Sequence, residues 1–215
     1  MTVARRRTAS THPSELGGQL REERLRQHIG LRELAKRLSI SPSLLSQIET
    51  GKSKPSVGTL YAIADALNIS LDNLFFDARP AASPPSIGRS AGDATPNGAA
   101  PPPATGPVQR TATRKVINLE SGVRWELLTP TSDPAVEFLS IVYDVGGSSS
   151  QNGTLMRHTG REYGLVLSGQ LSVTIGFETY ELGPGDSICF DSTSPHRLWN
   201  TGNEPVHAIW FVVHR

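Results

Sequence analysis

Two histidines and one glutamate in the C-terminal half of the chain have the types and spacing of a metal-binding triad. His158 lies four residues before Glu162, and His196 lies in a later β-rich segment. Two imidazole nitrogens and one carboxylate oxygen from different strands can occupy one face of a divalent ion. We therefore predict that these three side chains bind Fe, Mn, Ni or Zn. The alternative is a hydrogen-bonded cluster that binds a small molecule without a metal.

Short β-rich runs must position this triad. They are separated by Gly, Pro, Asn or Asp, and they include Val136–Val145, Tyr163–Leu167, Leu171–Ile175, Ser187–Phe190 and Val206–Val213. Short strands with frequent turn residues are typical of an antiparallel sandwich or barrel. Alternation along a strand places Glu162 and Val166 on the face opposite Tyr163. We predict one all-β barrel of about eight strands over residues 115–215.

A second functional pattern lies between Leu31 and Lys52, where the apolar spacing is helical. A helix-turn-helix needs a small residue where its two helices touch, and Ala35 has that place. One face of each helix must be apolar, which fits Leu34, Leu38, Ile40, Leu45 and Ile48. Ser41 followed by Pro42 predicts the start of the second helix, because serine caps a helix and proline fits its first turn. The turn itself falls at Ser39, where glycine suits a left-handed backbone best.

The second helix of such a pair enters the major groove of DNA with its N-terminal half toward the base edges. Since Leu45 and Ile48 face the core, the polar residues that point outward are Ser41, Ser43, Ser46 and Gln47. Gln47 is the best candidate for base recognition, because an amide can form two hydrogen bonds with adenine. We predict phosphate contacts by side chains of the following loop and the preceding helix: Lys52, Ser53, Lys54, Arg32 and Arg37. The alternative is that these side chains are only solvated.

The charge is distributed unevenly along the 215 residues, although the net charge is only +1. Residues 1–76 contain 11 basic and seven acidic residues, whereas residues 116–215 contain five and 11. A basic front and an acidic back favour nucleic-acid binding by the front alone. Between them, the proline-rich residues 77–114 have too few apolar side chains to fold, which predicts a disordered linker. Residues 1–14 are predicted to form a basic, flexible arm.

Composition excludes several other classes of protein. No apolar run approaches the ~20 residues of a membrane-spanning helix, and no apolar segment after Arg5–Arg7 has the form of a signal peptide. Cys189 is the only cysteine, which excludes an intrachain disulfide, a zinc ribbon and an iron–sulfur cluster. We expect a cytoplasmic protein in which the Cys189 thiol is buried and inert.

The helical segment over residues 15–76 resembles the XRE family of phage-repressor-like DNA-binding domains. The resemblance rests on the order of the helices and on the strings LSQIETGKSKPS and LYAIADALNISLDNLF. It implies a five-helix domain that binds a double-stranded DNA operator as a homodimer on a two-fold site. It also implies an ion pair between Arg24 and Glu49 that ties two helices together.

The β-rich segment resembles the cupin superfamily, a double-stranded β-helix barrel. The residues that match its two motifs are His158, Glu162, Gly169, Gly185, His196 and Asn200, and the departures are Ser150, Met156, Asp191 and Thr193. Met156 replaces a histidine, and a thioether is a poor ligand for hard divalent ions. A bound metal would therefore have three protein ligands. The resemblance implies a ligand site formed by Met156, His158, Glu162, His196 and Asn200.

Together the two resemblances imply a multidomain protein, α and then β, with the architecture of XRE-family regulators that have a C-terminal cupin sensor. We predict a dimeric, sequence-specific DNA-binding transcriptional regulator, a repressor by preference, that responds to a small-molecule effector. One alternative is a two-His, one-Glu iron cupin enzyme resembling hydroxypropylphosphonate epoxidase, which has a similar architecture. The other is a DNA-binding protein whose barrel serves only to dimerise it.

Overall fold

The structure is a computed structural model that describes residues 15–75 and 106–214. Two compact units are present, one ending at Lys54 and the other beginning at Pro55. The predicted basic arm and residues 77–105 of the predicted linker lie outside the described residues. Where the description resumes, a short 3₁₀ helix spans Thr111–Thr113. Within the described ranges, no helix has both the length and the apolar character needed to span a membrane.

From residue 15 onward, the first unit contains three helices, α1 (Glu15–Arg26), α2 (Leu31–Arg37) and α3 (Pro42–Glu49). Helices α1 and α2 both pack on α3. Helices α1 and α3 approach closely at Gly17 of α1, where a Cβ atom would lie 2.3 Å from the carbonyl oxygen of Ile48. Only glycine therefore permits α1 to lie this close to the end of α3.

The turn between α2 and α3 is built as the sequence predicts. Ser39 has a left-handed backbone with a φ of 55°. Pro42 is the first residue of α3, and the Ser41 hydroxyl caps this helix by accepting a 3.1 Å hydrogen bond from the backbone N–H of Leu44. The predicted core positions are fully buried at Leu34, Ala35, Leu45 and Ile48, and half-buried at Leu38 and Ile40. The helix-turn-helix prediction is therefore confirmed.

The second unit begins with helices α4 (Val57–Leu67) and α5 (Asp72–Phe75). The hydroxyl of Ser56 caps the start of α4, and Asn68, whose φ is 50°, ends it in the left-handed conformation. The predicted fifth helix has only four residues, enough for a single turn. The expectation of five helices was wrong in this respect, because the helical part that the structure describes has four full helices and one short turn.

Residues 106–214 contain nine antiparallel strands, and they form two sheets with the orders β1-β2-β3-β9-β4-β7 and β6-β5-β8. Their ranges are β1 Val116–Asn118, β2 Val123–Leu127, β3 Val136–Tyr143, β4 Arg161–Ser168, β5 Leu171–Ile175, β6 Glu178–Leu182, β7 Ser187–Asp191, β8 His196–Asn200 and β9 Val206–Val213. The predicted all-β architecture is confirmed. The strand-rich runs of the sequence correspond to β3, β4, β5, β7 and β9.

Strand β4 shows the predicted alternation between the two faces of the sheet. Glu162 and Val166 are buried, whereas Tyr163 is 42% exposed. Strand β7 pairs with β4 at the edge of the sheet, and its inward position is taken by Phe190. The neighbouring Cys189 is therefore exposed, and the expectation of a buried thiol was wrong. Because side chains alternate between the two faces of β7, Cys189 points outward even though the sequence around it is apolar.

Candidate functional site

The three predicted metal ligands meet inside the barrel. His158 lies in the loop before β4, Glu162 is the second residue of β4, and His196 is the first residue of β8. Backbone hydrogen bonds of 2.8 Å in both directions between Met156 and His196 hold that loop beside β8. One ligand atom from each member of the triad lies within 4.8 Å of the others, and all three residues are buried.

Hydrogen bonds on the far side of each imidazole ring determine which nitrogen faces the centre of the triad. Nδ1 of His158 lies 3.0 Å from the carbonyl oxygen of Thr159, and Nδ1 of His196 lies 2.8 Å from that of Ser194. A carbonyl oxygen only accepts hydrogen bonds, so each ring donates from Nδ1. In a neutral ring, Nε2 then presents a lone pair toward the triad.

Three acceptor atoms therefore converge at the centre of the site. Nε2 of His158 lies 3.0 Å from Oε1 of Glu162, and Nε2 of His196 lies 3.1 Å from the same oxygen. None of these three buried atoms has a hydrogen-bond partner among the described residues. Converging lone pairs in a buried site require a positive charge between them, supplied by protons on the rings or by a metal ion.

These distances fit a shared metal ion. Bonds from a divalent metal to histidine nitrogen or carboxylate oxygen are about 2.0–2.2 Å long, so two ligands of one ion lie about 3 Å apart when their bonds are nearly perpendicular. The second oxygen of Glu162 is not free to rotate into other contacts, because it accepts a 2.7 Å hydrogen bond from Nε1 of Trp210. The His158–Glu162–His196 cluster could therefore hold a metal ion.

Ionisation of Glu162 and His158 is coupled within this cluster. Burial opposes the charged form of Glu162, but its interactions with His158 and His196 outweigh burial and lower the pKa of the carboxyl below its usual range. Burial also opposes the charged form of His158, yet the contact with Glu162 raises the pKa of the imidazole. Both directions show that the site stabilises a carboxylate beside positive charge.

Gly164 makes the contact between Trp210 and Glu162 possible. A Cβ atom at Gly164 would lie 2.0 Å from the indole ring of Trp210. Because glycine has no Cβ atom, the indole of Trp210 can lie across β4 and reach the carboxylate of Glu162. No local signal in the sequence shows that Trp210 orients Glu162.

The remaining predicted ligand residues, Met156 and Asn200, have different surroundings. Met156 is half-buried and lines a small cavity at the triad. The side-chain amide of Asn200 donates to the carbonyl oxygens of Tyr143, Asp144 and Glu204, and its oxygen accepts from the N–H of Gly202. These bonds account for the amide of Asn200, and its role in ligand binding remains a prediction.

Helix α3 presents the predicted DNA-contacting residues on one side. Ser41, Ser43 and Gln47 are exposed, and Ser46 is half-buried. In the following loop Lys52 and Lys54 are exposed and Ser53 is half-buried, and the backbone N–H groups of Lys52 and Ser53 both donate to the carbonyl oxygen of Gln47. Arg32 is exposed, whereas Arg37 pairs with Glu33 on α2.

A buried ion pair fixes α3 to α1. Nε and Nη2 of Arg24 donate to the two carboxylate oxygens of Glu49 at 2.6 and 2.8 Å. Nη1 of Arg24 donates to the carbonyl oxygen of Ile29 at 2.9 Å. The side chains of the pair are 7% and 3% exposed. The ion pair that the family resemblance implies is therefore confirmed.

Comparisons with known proteins agree with both halves of the structure. A helix-turn-helix family model matches residues 20–74, and a cupin domain family model matches residues 139–212. The HTH-type transcriptional regulator PuuR of Escherichia coli is 24% identical over 192 residues, which cover 86% of this chain and 87% of PuuR. Residues 20–74 therefore form a helix-turn-helix domain of XRE type, and residues 139–212 form a cupin domain.

Two solved structures match over most of this chain. A helix-turn-helix family transcriptional regulator from Vibrio cholerae is 22% identical, with a TM-score of 0.63 over 94% of this chain and 97% of that one. The TM-score with hydroxypropylphosphonic acid epoxidase from S. wedmorenis is 0.40, at 18% identity over 94% and 98% of the two chains. The helix-turn-helix and cupin folds described here agree with the two family models and with the regulator from Vibrio cholerae.

Proposed function

We propose that this helix-turn-helix regulator binds a two-fold operator as a homodimer in the cytoplasm, and that its cupin barrel binds a small effector at the triad. The DNA-binding part of this proposal rests on the two faces of α3, one of which is buried and the other exposed. Leu45 and Ile48 are buried and Glu49 is ion-paired, while Ser43 and Gln47 are exposed. Two copies of α3 would contact half-sites about one helical turn, ~34 Å, apart. Repression is the proposed sign of regulation.

Two substitutions separate base recognition from phosphate contact. Gln47→Ala should weaken binding of the operator by ~1–3 kcal/mol and relax specificity at one base pair, because an amide reads a base edge. Lys54→Ala should weaken binding to all DNA sequences alike and reduce the salt dependence, because phosphates carry no sequence information. Fluorescence anisotropy with DNA from upstream of the gene and with a scrambled duplex measures both effects. Unchanged specific binding by Gln47→Ala would contradict the proposed role of α3.

The proposal for the barrel rests on the three unpaired acceptor atoms of His158, Glu162 and His196. They would hold Fe, Mn, Ni or Zn, with the remaining coordination positions open to water or effector. A metal bound there supplies a Lewis acid that attracts an oxygen or nitrogen of the effector. The residues of the chain provide the fixed tautomers, the orientation of Glu162 by Trp210, and exclusion of bulk water.

Metal analysis tests this part of the proposal. Protein purified without a histidine tag, and supplemented with each metal in turn, should retain about one ion per chain. His196→Ala should reduce retention to background, because it removes one of three ligands. His207→Ala, which changes an exposed histidine of β9, should retain the wild-type amount. Absence of stoichiometric metal under every supplementation would leave the hydrogen-bonded cluster as the site.

The enzyme alternative is tested with the same protein. Loaded with iron and given candidate phosphonates, a regulator should show no substrate-dependent oxygen consumption, while the same preparation binds upstream DNA in a gel shift. Substrate turnover without DNA binding would overturn the proposed function. If neither metal nor any metabolite of a broad screen shifts the melting of the barrel, the barrel serves only to dimerise the protein.

A further inference from the structure

Helix α4 is docked on the barrel at the edge of the triad. The backbone N–H of Gly58 donates to the carbonyl oxygen of Ser149 at 3.1 Å, and the N–H of Glu120 donates to that of Pro55 at 2.9 Å. A Cβ atom at Gly58 would lie 3.2 Å from Cβ of Met156. The small residue at this position thus lets the first turn of α4 lie against the loop that precedes His158.

Tyr61 of α4 covers one of the triad histidines. Its ring is parallel to the imidazole of His158, with centroids 3.6 Å apart and an interplanar angle of 2°. Its hydroxyl donates a 2.8 Å hydrogen bond to Oε2 of Glu137. Burial, together with the neighbouring carboxylates, raises the pKa of Tyr61 well above its usual value, so the hydroxyl keeps the proton that it donates. Tyr61 is itself only 5% exposed.

Glu137 is a buried carboxylate with two hydrogen-bond partners, Tyr61 of α4 and His214 after β9. It is 1% exposed, and its second oxygen lies 2.8 Å from Nε2 of His214. A buried carboxylate that loses a donor is strongly destabilised unless another donor replaces it. Whatever displaces Tyr61 must therefore bring a hydrogen-bond donor to Glu137.

Tyr61 lines two cavities of very different size. The inner one, which Glu162 lines, has a volume of about 20 Å³, whereas the outer cleft, which His158 and Glu137 line, has about 510 Å³. A single water needs ~10–15 Å³ of such volume. The inner cavity therefore admits a water or an ion but no organic ligand, and Tyr61 lines both spaces.

We propose that Tyr61 occupies the place of the effector, and that the effector is a small planar molecule with a hydrogen-bond donor, such as a phenol. Such a molecule would stack on His158 and donate to Glu137 in place of the tyrosine. Its binding would release α4, whose first residue, Val57, follows Lys54 of the predicted phosphate-contacting loop by only three positions. A ligand changes DNA affinity only if it favours one arrangement over the other, and displacement of Tyr61 supplies that difference. This inference rests on the proposed effector-sensing function.

A cavity-rescue experiment tests the placement of the ligand without DNA. Tyr61→Ala vacates the site, and 4-methylphenol, which has the shape of the lost side chain, should then bind and raise the melting temperature. Toluene should bind at least ~10-fold more weakly, because it has no donor for Glu137. Tyr180→Ala, which removes an exposed tyrosine of β6, is the control and should bind 4-methylphenol at least ~10-fold more weakly than Tyr61→Ala, because the ligand must first displace Tyr61. Equal binding of 4-methylphenol by both variants, or none by Tyr61→Ala, would overturn the proposal.

Operator affinity tests the coupling. Tyr61→Ala imitates the ligand-bound state and should change operator affinity by at least ~5-fold, while Tyr180→Ala stays at the wild-type value. Tyr61→Phe keeps the ring and removes only the hydroxyl, so it should fold normally and shift affinity in the same direction by a smaller factor. Wild-type affinity in both Tyr61 variants would refute the coupling. Failure of the wild-type protein to bind any upstream DNA would instead count against the proposed function and leave the 4-methylphenol result to decide the site.

Discussion

Arg24→Ala should lower the free energy of unfolding by about 3–5 kcal/mol, the cost of removing one partner of a buried ion pair. The guanidinium makes two hydrogen bonds to Glu49 and one to the carbonyl of Ile29. Without it, a carboxylate whose side chain is 3% exposed has no counter-charge. Differential scanning calorimetry should show the loss in the transition of the helical unit.

Two further variants distinguish loss of the pair from loss of a side chain. Arg26→Ala removes the partner of Glu23 in an exposed pair on α1 and should change stability little. Arg24→Met combined with Glu49→Leu replaces both charges by apolar groups and should recover most of the stability. If Arg26→Ala destabilises the protein as much as Arg24→Ala, the buried pair is not the cause. DNA binding should follow stability in this series, because α3 depends on α1 for its position.

Gly164→Ala should lower the stability of the barrel by about 3 kcal/mol, near the upper end for overpacking of a core. The added methyl group would lie 2.0–2.5 Å from three atoms of the Trp210 ring. Trp210 is only 3% exposed and is hydrogen-bonded to Glu162, so the indole has little room to move. Urea denaturation measures the loss, and metal retention should fall with it because Glu162 loses its orientation.

A compensating variant makes this prediction specific. Trp210→Leu removes the ring that the new methyl group meets, so the double variant should lose less stability than the sum of the two single losses. Gly18→Ala on α1, where nothing lies within 4 Å of the added atom, should instead stabilise its helix by about 0.5–1 kcal/mol. Additive losses for Gly164→Ala and Trp210→Leu would show that the two residues do not conflict.

Local signals in the sequence were sufficient for the elements and for part of the site. Ser41 and Pro42 start α3 because capping depends on neighbouring residues only. The spacing of His158 and Glu162 identified the triad because the loop between them is short. The alternation in β4 followed from strand geometry, and the same rule, applied to β7, would have predicted the exposed Cys189.

The long-range contacts of the site had no local signal. Tyr61 is 76 residues from Glu137, with which it forms a hydrogen bond, and no local pattern in the sequence of α4 indicates that contact. Glu137 lies on β3 between the apolar residues Val136 and Phe138, and His214 follows the apolar end of β9. Gly164 also gave no indication of its role, since a glycine in a strand is explained only by the ring that crosses it.

The position of Trp210 has a practical consequence. Its indole N–H donates a hydrogen bond to the carboxylate of Glu162, a member of the triad. The fluorescence emission of Trp210 should therefore depend on the charge at the triad. The rings of Trp125 and Tyr61 meet edge-on, with centroids 5.8 Å apart. The emission of Trp125 should therefore depend on whether α4 is docked on the barrel. The chain has only one other tryptophan, Trp199. We therefore expect two intrinsic optical reporters, one for the proposed occupancy of the triad and one for the proposed release of α4. Phenylalanine substitutions, one tryptophan at a time, separate their signals without any attached label.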